Sequence, residues 1–205
     1  MVMLTLACEK DTDTTQQYPS LVNLELDLLP YDRLSDYNLF QGNLKDFEPQ
    51  LDVYPYDILS HLFTDYAKKE RFIWMPNGVS ATYDGDGEVL NFPTGTVIIK
   101  HFYYDNVQPL NERRIVETRL LIRTELEWMF ADYVWNEDQT EAFHDLQGSF
   151  TDIAFVNDLG ITVDVNYRIT SETECNTCHN IGAVSVPIGP KPQIPICDSP
   201  LTPTF

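Results

Sequence analysis

The chain of 205 residues is 43% apolar and carries 32 acidic against 13 basic side chains, a net charge of −19. That is enough apolar material for one buried core with loose ends. The charge excludes nucleic acid as a partner, because its phosphates would be repelled, and no apolar run of roughly eighteen residues exists to span a membrane as a helix. A solvated acidic surface accounts for the charge, and such a face also steers a basic partner protein. The 11 Tyr, 11 Phe and 3 Trp suit a sheet-rich core or an aromatic-walled pocket.

Residues 1–8, Met1 to Cys8, are apolar and end in Ala-Cys. They look like the end of a bacterial lipoprotein signal with Cys8 as the lipidated residue, although no basic region precedes them and Thr5 stands where Leu or Val is usual. The alternative is an ordinary apolar N-terminus with a stray cysteine. Residues 9–20 are polar and rich in Thr and Asp, a flexible tether that would let an anchored domain stand clear of a membrane.

Residues 21–191 read as one β-rich domain. Ser35-Asp36 caps a short helix through Leu39-Phe40 that ends at Gly42. Asp57 to Lys69 has apolar residues at helical spacing and includes His61, which reads as a hydrogen bonder rather than a ligand. From Arg71 the period becomes two. Phe72–Met75 is a strand stopped by Pro76-Asn77-Gly78. The Asp84-Gly85-Asp86-Gly87 cluster lacks the further carboxylates of a calcium loop and reads as a hairpin turn between a strand ending at Tyr83 and Glu88–Phe92. Thr96–Tyr104, Ile115–Arg123 and Trp128–Trp135 follow as strands, and Asp152–Val156 pairs with Ile161–Ile169 across Asn157–Gly160. The expected fold is mainly β, an antiparallel sheet or sandwich-like domain with a few short N-terminal helices, with α+β as the alternative.

Just after the last strand stands Cys175-Asn176-Thr177-Cys178-His179, a C-x-x-C-H sequence in a chain with only 4 Cys and 4 His. Two thiols at this spacing attach a c-type haem through its two vinyl groups, and the adjacent histidine becomes an axial iron ligand. A zinc knuckle uses the same C-x-x-C pair but needs further ligands, and Cys8 and Cys197 are unpaired and lie in tails. A redox dithiol needs a βα setting, and Asn180–Ala183 does not start a helix. Residues 192–205 hold four prolines and Cys197 with no periodicity, an irregular tail.

Several stretches resemble, in order, a bacterial family of exported diheme c-type cytochromes, many described only as conserved proteins of unknown function. They are Leu39-Phe-Gln-Gly42, Pro55-Tyr-Asp57, Leu62-Phe-Thr-Asp-Tyr-Ala67, Arg71-Phe-Ile-Trp-Met-Pro76, Phe92-Pro-Thr-Gly-Thr-Val-Ile-Ile-Lys100, Ile115-Val-Glu-Thr-Arg-Leu-Leu-Ile122, Tyr133-Val-Trp-Asn136 with Gln139-Thr140, and Cys175-Asn-Thr-Cys-His-Asn180. The resemblance spans roughly Leu34 to Lys191 and implies that Cys175, Cys178 and His179 bind the first haem. In that family a second C-x-x-C-H segment follows the Ile-Gly-Pro-Lys stretch, here Ile188–Lys191. This chain has none after it, so the expectation is a truncated or frame-shifted product with one haem. The order Pro-x-Gly-Thr-Val-x-x-Lys, a strand ending near Trp-Asn and a closing C-x-x-C-H is also similar to cytochromes of the P460 and c′-β type. That likeness implies a haem against an antiparallel sheet and a possible covalent link to Lys100, the alternative being a strand lysine with its ammonium in water.

The distal iron position decides function, since a second strong ligand favours electron transfer and an open site favours small-molecule chemistry. Met75, Met129, His101 and His144 are the candidates. Core packing competes for both methionines, alternation puts Lys100 and His101 on opposite faces, and His144 reads as exposed. Arg113, Arg114, Arg119 and Arg123 form the one basic concentration, read as a sheet surface balancing carboxylates rather than as partners for haem propionates. No acid–base pair, Ser–His–Asp arrangement or phosphate loop stands out. The sequence thus reads as an exported, lipid-anchored domain on the periplasmic side of a bacterial membrane or at the outer membrane, carrying one haem c and transferring single electrons with a redox partner protein, for which a basic surface would complement the acidic one. The alternatives are a P460-like haem enzyme or gas-binding protein, and a non-haem binding domain or nonfunctional fragment.

Overall fold

The structure, a computed structural model, describes residues 19–58, 60–85, 87–181 and 184–187. Cys8, most of the tether, and the stretch from Ile188 to Phe205 with Cys197 lie outside the described residues. Three short strands lead in: β1 (Phe40–Gln41), β2 (Glu48–Pro49) and β3 (Val53–Pro55). The alternating, β-branched and aromatic stretches then form β4 (Lys68–Trp74), β5 (Val97–Val107), β6 (Glu112–Arg123) and β7 (Trp128–Trp135). They are followed by β8 (Ala142–His144), β9 (Ser149–Val156) and β10 (Thr162–Ile169), then helix α1 (Glu172–Cys178) and the short strands β11 (Asn180–Ile181) and β12 (Val184–Ser185).

Strands β3 to β10 make one antiparallel sheet of eight. The long β5–β6 pair is its axis. On the other edge of β5, β4 pairs over Val97–Tyr103, and the β9–β10 hairpin joins through Val107 and Phe155. Register shifts in the β5–β6 ladder after Phe102 and Tyr104 bend the sheet there, as bulges do. The N-terminal segment covers one face, placing Leu34, Tyr37, Leu39, Phe40 and Phe47 against Ile99, Leu120 and Tyr133. This layer is tied down by polar contacts as well. The Tyr133 hydroxyl donates to the Tyr31 carbonyl at 2.8 Å and lies 2.8 Å from the Tyr37 hydroxyl. The β9–β10 hairpin covers one end of the opposite face through Ile153, Phe155, Tyr167 and Ile169. The protein is mainly β and sandwich-like, with all helical content in short pieces.

One expected helix does not form, and another is cut to a short 3-10 helix. Residues 57–58 and 60–67 are irregular and β4 begins at Lys68, with Asp65 and Tyr66 taking left-handed φ values of 43° and 66°. A right-handed helix cannot pass through two such residues, and Leu62 and Phe63 stay exposed instead of forming a buried stripe. The segment after Ser35 is a single 3-10 turn, Leu34–Tyr37, which ends at Asn38 in the left-handed conformation and passes into β1. Between Tyr83 and Phe92 the expected hairpin reduces to an isolated bridge, Thr82 with Asn91, and Asp86 lies outside the described residues. The Asp152–Val156 and Ile161–Ile169 pairing is present, lengthened to begin at Ser149. His144, expected in an exposed loop, sits in β8 with its Nε2 buried and its ring 5.6 Å from that of Tyr133.

Candidate functional site

The C-x-x-C pair lies on α1, the one α-helix among the described residues. Ser171 begins this helix, its backbone N–H donating to Glu174 Oε2 at 2.9 Å, and Arg168 holds the other oxygen of the same carboxylate. That doubly held carboxyl is kept down at about 2, by the Ser171 backbone first and Arg168 second. Residues three apart on a helix share a face, so Cys175 and Cys178 point to one side. Cys175 packs beside Ile98, Leu121 and Phe130, whereas Cys178 is exposed. Burial pushes the Cys175 thiol up. The pair sits at the C-terminal end of the helix, where the backbone dipole disfavours a thiolate.

His179 closes the helix and its N–H returns to the Cys175 carbonyl at 3.0 Å. Its Nδ1 lies 3.2 Å from the Val186 carbonyl oxygen, an atom that only accepts, so Nδ1 carries the proton. The Nε2 lone pair is left for a ligand, the arrangement that a carbonyl on the other ring nitrogen imposes on metal-binding imidazoles. Burial, then the Lys100 charge, lowers this imidazole to about 4, so it is neutral near pH 7. Its ring lies 5.3 Å from that of Phe130.

Opposite the helix, the sheet presents two informative rows. Ile73, Ile98, Leu121 and Phe130 are successive cross-strand partners on β4, β5, β6 and β7 and form an apolar row. Two residues along each strand, Arg71, Lys100, Arg119 and Asp132 form a charged row in the same register. The whole charged row, with Leu121 and Phe130 of the apolar row, lines a cavity of about 410 Å³ whose walls also include Phe63, Cys175 and His179. That volume lies within the range of small-molecule and cofactor pockets. Lys100 is lowered to about 8, by burial first and then by Arg119 and Arg71.

Behind the charged row lies a buried polar cluster. Arg119 donates to Glu117 through Nη2, and the Tyr167 hydroxyl donates to the same carboxylate oxygen at 2.6 Å. Arg119 Nε also lies 3.5 Å from Asp132 Oδ2, while its guanidinium covers the Phe102 ring at 4.5 Å from the centroid. Asp132 has no hydrogen-bond partner on either oxygen. Burial, then the Glu117 charge, pushes its carboxyl well above the usual range, with Arg119 opposing.

The structure thus gathers Cys175, His179 and Lys100 around one cavity and leaves other candidates elsewhere. His101 and Met129 are on the opposite face of the sheet. His101 is fully buried there, stacked 3.6 Å from Phe47 and bonded through Nδ1 to Thr118 Oγ1 at 2.7 Å. Met129 packs against the same N-terminal layer. Met75 belongs to the apolar cluster that includes Cys175 but does not line the cavity. Arg119 is not the surface residue expected of it, since it lies inside the sheet's covered face, whereas Arg113 is exposed and pairs with Asp105 and Glu70. Arg71, Glu117, Asp132 and Tyr167 went unremarked in the sequence. A charged residue inside each of four neighbouring apolar strands is the available signal, but only the register shows that they align. Comparison of the chain with family models, curated proteins and solved structures gives no match.

Proposed function

We propose that this chain is a c-type haem protein that transfers single electrons, with Cys175 and Cys178 holding the porphyrin through thioether bonds and His179 ligating the iron. The observation that carries this reading is the Val186 carbonyl on His179 Nδ1, which fixes the tautomer with Nε2 free beside two thiols on one helix face. The fit is favourable in three further respects. Lining the cavity are apolar and aromatic groups, among them Leu121 and Phe130, suited to a porphyrin face. The imidazole is neutral, as a ligand must be. A zinc knuckle would need more ligands near the two thiols, and among the described residues no three His, Cys, Asp or Glu side chains gather for a metal. When bound, the haem supplies a one-electron iron couple, and the protein's part is to exclude water, fix the imidazole and set the polarity around it. Export and lipid anchoring at Cys8, with a basic redox partner drawn to the acidic surface, complete this reading.

A second reading is a P460-like haem enzyme or gas-binding protein. The observation that favours it is Lys100, whose side chain opens into the same cavity as Cys175 and His179 and would be available to link to a bound porphyrin. Lys100, Arg119 and Asp132 on the same cavity wall would supply polar groups for small-molecule chemistry at a haem held there.

The test is to produce the chain from Glu9 onward in a periplasm equipped for cytochrome c maturation and record its reduced spectrum in alkaline pyridine. Covalent haem is expected, and it is lost in the Cys175→Ala, Cys178→Ala double variant. Carbon monoxide then separates the readings, since a strongly ligated carrier leaves its native spectrum unchanged and an open iron shifts it. Well-folded protein without covalent haem would sink both and leave a non-haem binding domain or a nonfunctional fragment.

A further inference from the structure

Lys100 is the one member of the charged row Arg71–Lys100–Arg119–Asp132 that the protein leaves uncompensated. Adjacent like charges in cross-strand register repel one another. Asp57 answers Arg71 at 3.0 Å, and Glu117 answers Arg119. Among the described residues the Lys100 ammonium has no ion-pair or hydrogen-bond partner, although its backbone is laddered to both neighbouring strands. Asp132 offers no help, since it lies one strand beyond Arg119 and sits against that guanidinium. The surroundings reinforce the imbalance. Lys69, Arg71, Lys100, Arg119 and Arg168, five of the chain's 13 basic residues, line this cavity, against three of its 32 acidic ones. An acidic protein has concentrated its positive charge in one concave, partly apolar site, where low polarity strengthens attraction for an anion.

We propose that Lys100, between Arg71 and Arg119, is the seat of a small oxyanion of carboxylate size, either a free ion or a carboxylate of a bound cofactor. The ammonium supplies a strong point charge and three donors in a site whose neighbouring guanidiniums are already engaged. Cross-strand neighbours stand about 5 Å apart, so one small oxyanion meets Lys100 and the edge of a flanking arginine together. The seat is made by strand side chains and stands whether or not haem is attached.

The experiment titrates the folded full-length protein, produced without cytochrome maturation, with sodium nitrite at constant ionic strength, following labelled lysine side chains by NMR. One lysine signal is expected to move saturably and to be missing from Lys100→Met, whose affinity falls at least about tenfold, the loss of one charge-assisted contact. Arg71→Gln keeps Lys100 in place and weakens binding less. Binding fades as pH rises through about 8, where the Lys100 amine loses its proton. The groups facing that amine are Lys69 and Arg71 from β4, Arg119 from β6, Cys175 from α1 and His179 at the end of that helix. The thiol is pushed up by burial and the imidazole lies at about 4, so the step at about 8 belongs to Lys100. A second arm uses haem-loaded protein. Nitrite binding that survives loading identifies a free anion. Displacement of nitrite, with Lys100 raised as nitrite raises it, identifies a cofactor carboxylate. A titration that never saturates, unchanged affinity in folded Lys100→Met, or a Lys100 peptide found in covalent linkage would each overturn the proposal.

Discussion

Arg119 donates to Glu117 from two residues along the same strand, and water does not reach the carboxylate it holds. Strand alternation places both on the cavity face of β6, with Tyr167 from the hairpin as the second donor to the same oxygen. The pair joins three parts of the fold: the central strand, the covering hairpin and the cavity wall. A buried pair of this kind stabilises little beyond an apolar substitute, but breaking it strands a charge. Glu117→Ala is therefore expected to cost about 3–5 kcal/mol, by leaving Arg119 and the Tyr167 hydroxyl without their acceptor. Urea denaturation checks this. A loss below about 1 kcal/mol would show that water compensates Arg119 through the cavity.

Asp132 should give the folded protein an unusual pH dependence. Its carboxyl is raised by burial first and by Glu117 next, with Arg119 opposing and Asp145 adding a little. A raised acid holds its proton in the folded state after the unfolded chain has released it. Stability is then full below the ordinary carboxyl range and declines as pH rises from there towards the folded value. The amide of Asp132→Asn has no proton to lose, so that variant is expected to lack this slope. Denaturation midpoints between about pH 4 and about pH 8 measure it for both proteins. Parallel profiles would mean that another group carries the dependence.

The fold was legible because the strands alternate and their punctuation is strong. Pro76-Asn77-Gly78 and Asn157–Gly160 stop or turn strands where a sequence reader expects, and Trp128–Trp135 is a strand over that whole stretch. The irregular segment over residues 60–67 was not legible, because its apolar spacing mimics a helix while Asp65 and Tyr66 adopt left-handed backbone geometry. At the site, alternation alone separates Lys100 from His101, and the structure shows which face each meets: the cavity for Lys100, the Phe47 stack for His101. The Arg71–Lys100–Arg119–Asp132 row was hidden for a different reason. Its members come from four strands, and a one-residue slip in any pairing would scatter them, so the row exists only once register is fixed.

Gly148 packs closely against the start of the C-x-x-C-H helix from outside the site. It lies in the turn before β9 with φ of +71°, and a Cβ there would come within 2.7 Å of both the Ile169 carbonyl oxygen and the Ser171 nitrogen. Those backbone atoms are the junction between β10 and α1, and Ser171 begins the helix. Neither can yield as a flexible side-chain end would. The strained φ adds to the clash, since only glycine takes it without steric cost. Gly148→Ala is expected to destabilise the domain by about 1–3 kcal/mol, the cost of a strained backbone position that must also move a neighbour. It should also displace the start of α1 and lower covalent haem per folded protein under maturation conditions. Gly160→Ala is the matched control, because it has a similar φ of +75° but open space around its Cβ, in a turn remote from the helix. Pyridine haem content divided by folded protein from circular dichroism reads the difference. If both variants lose stability alike and neither loses haem, strain alone matters at Gly148 and the contact with the helix start does not position the motif.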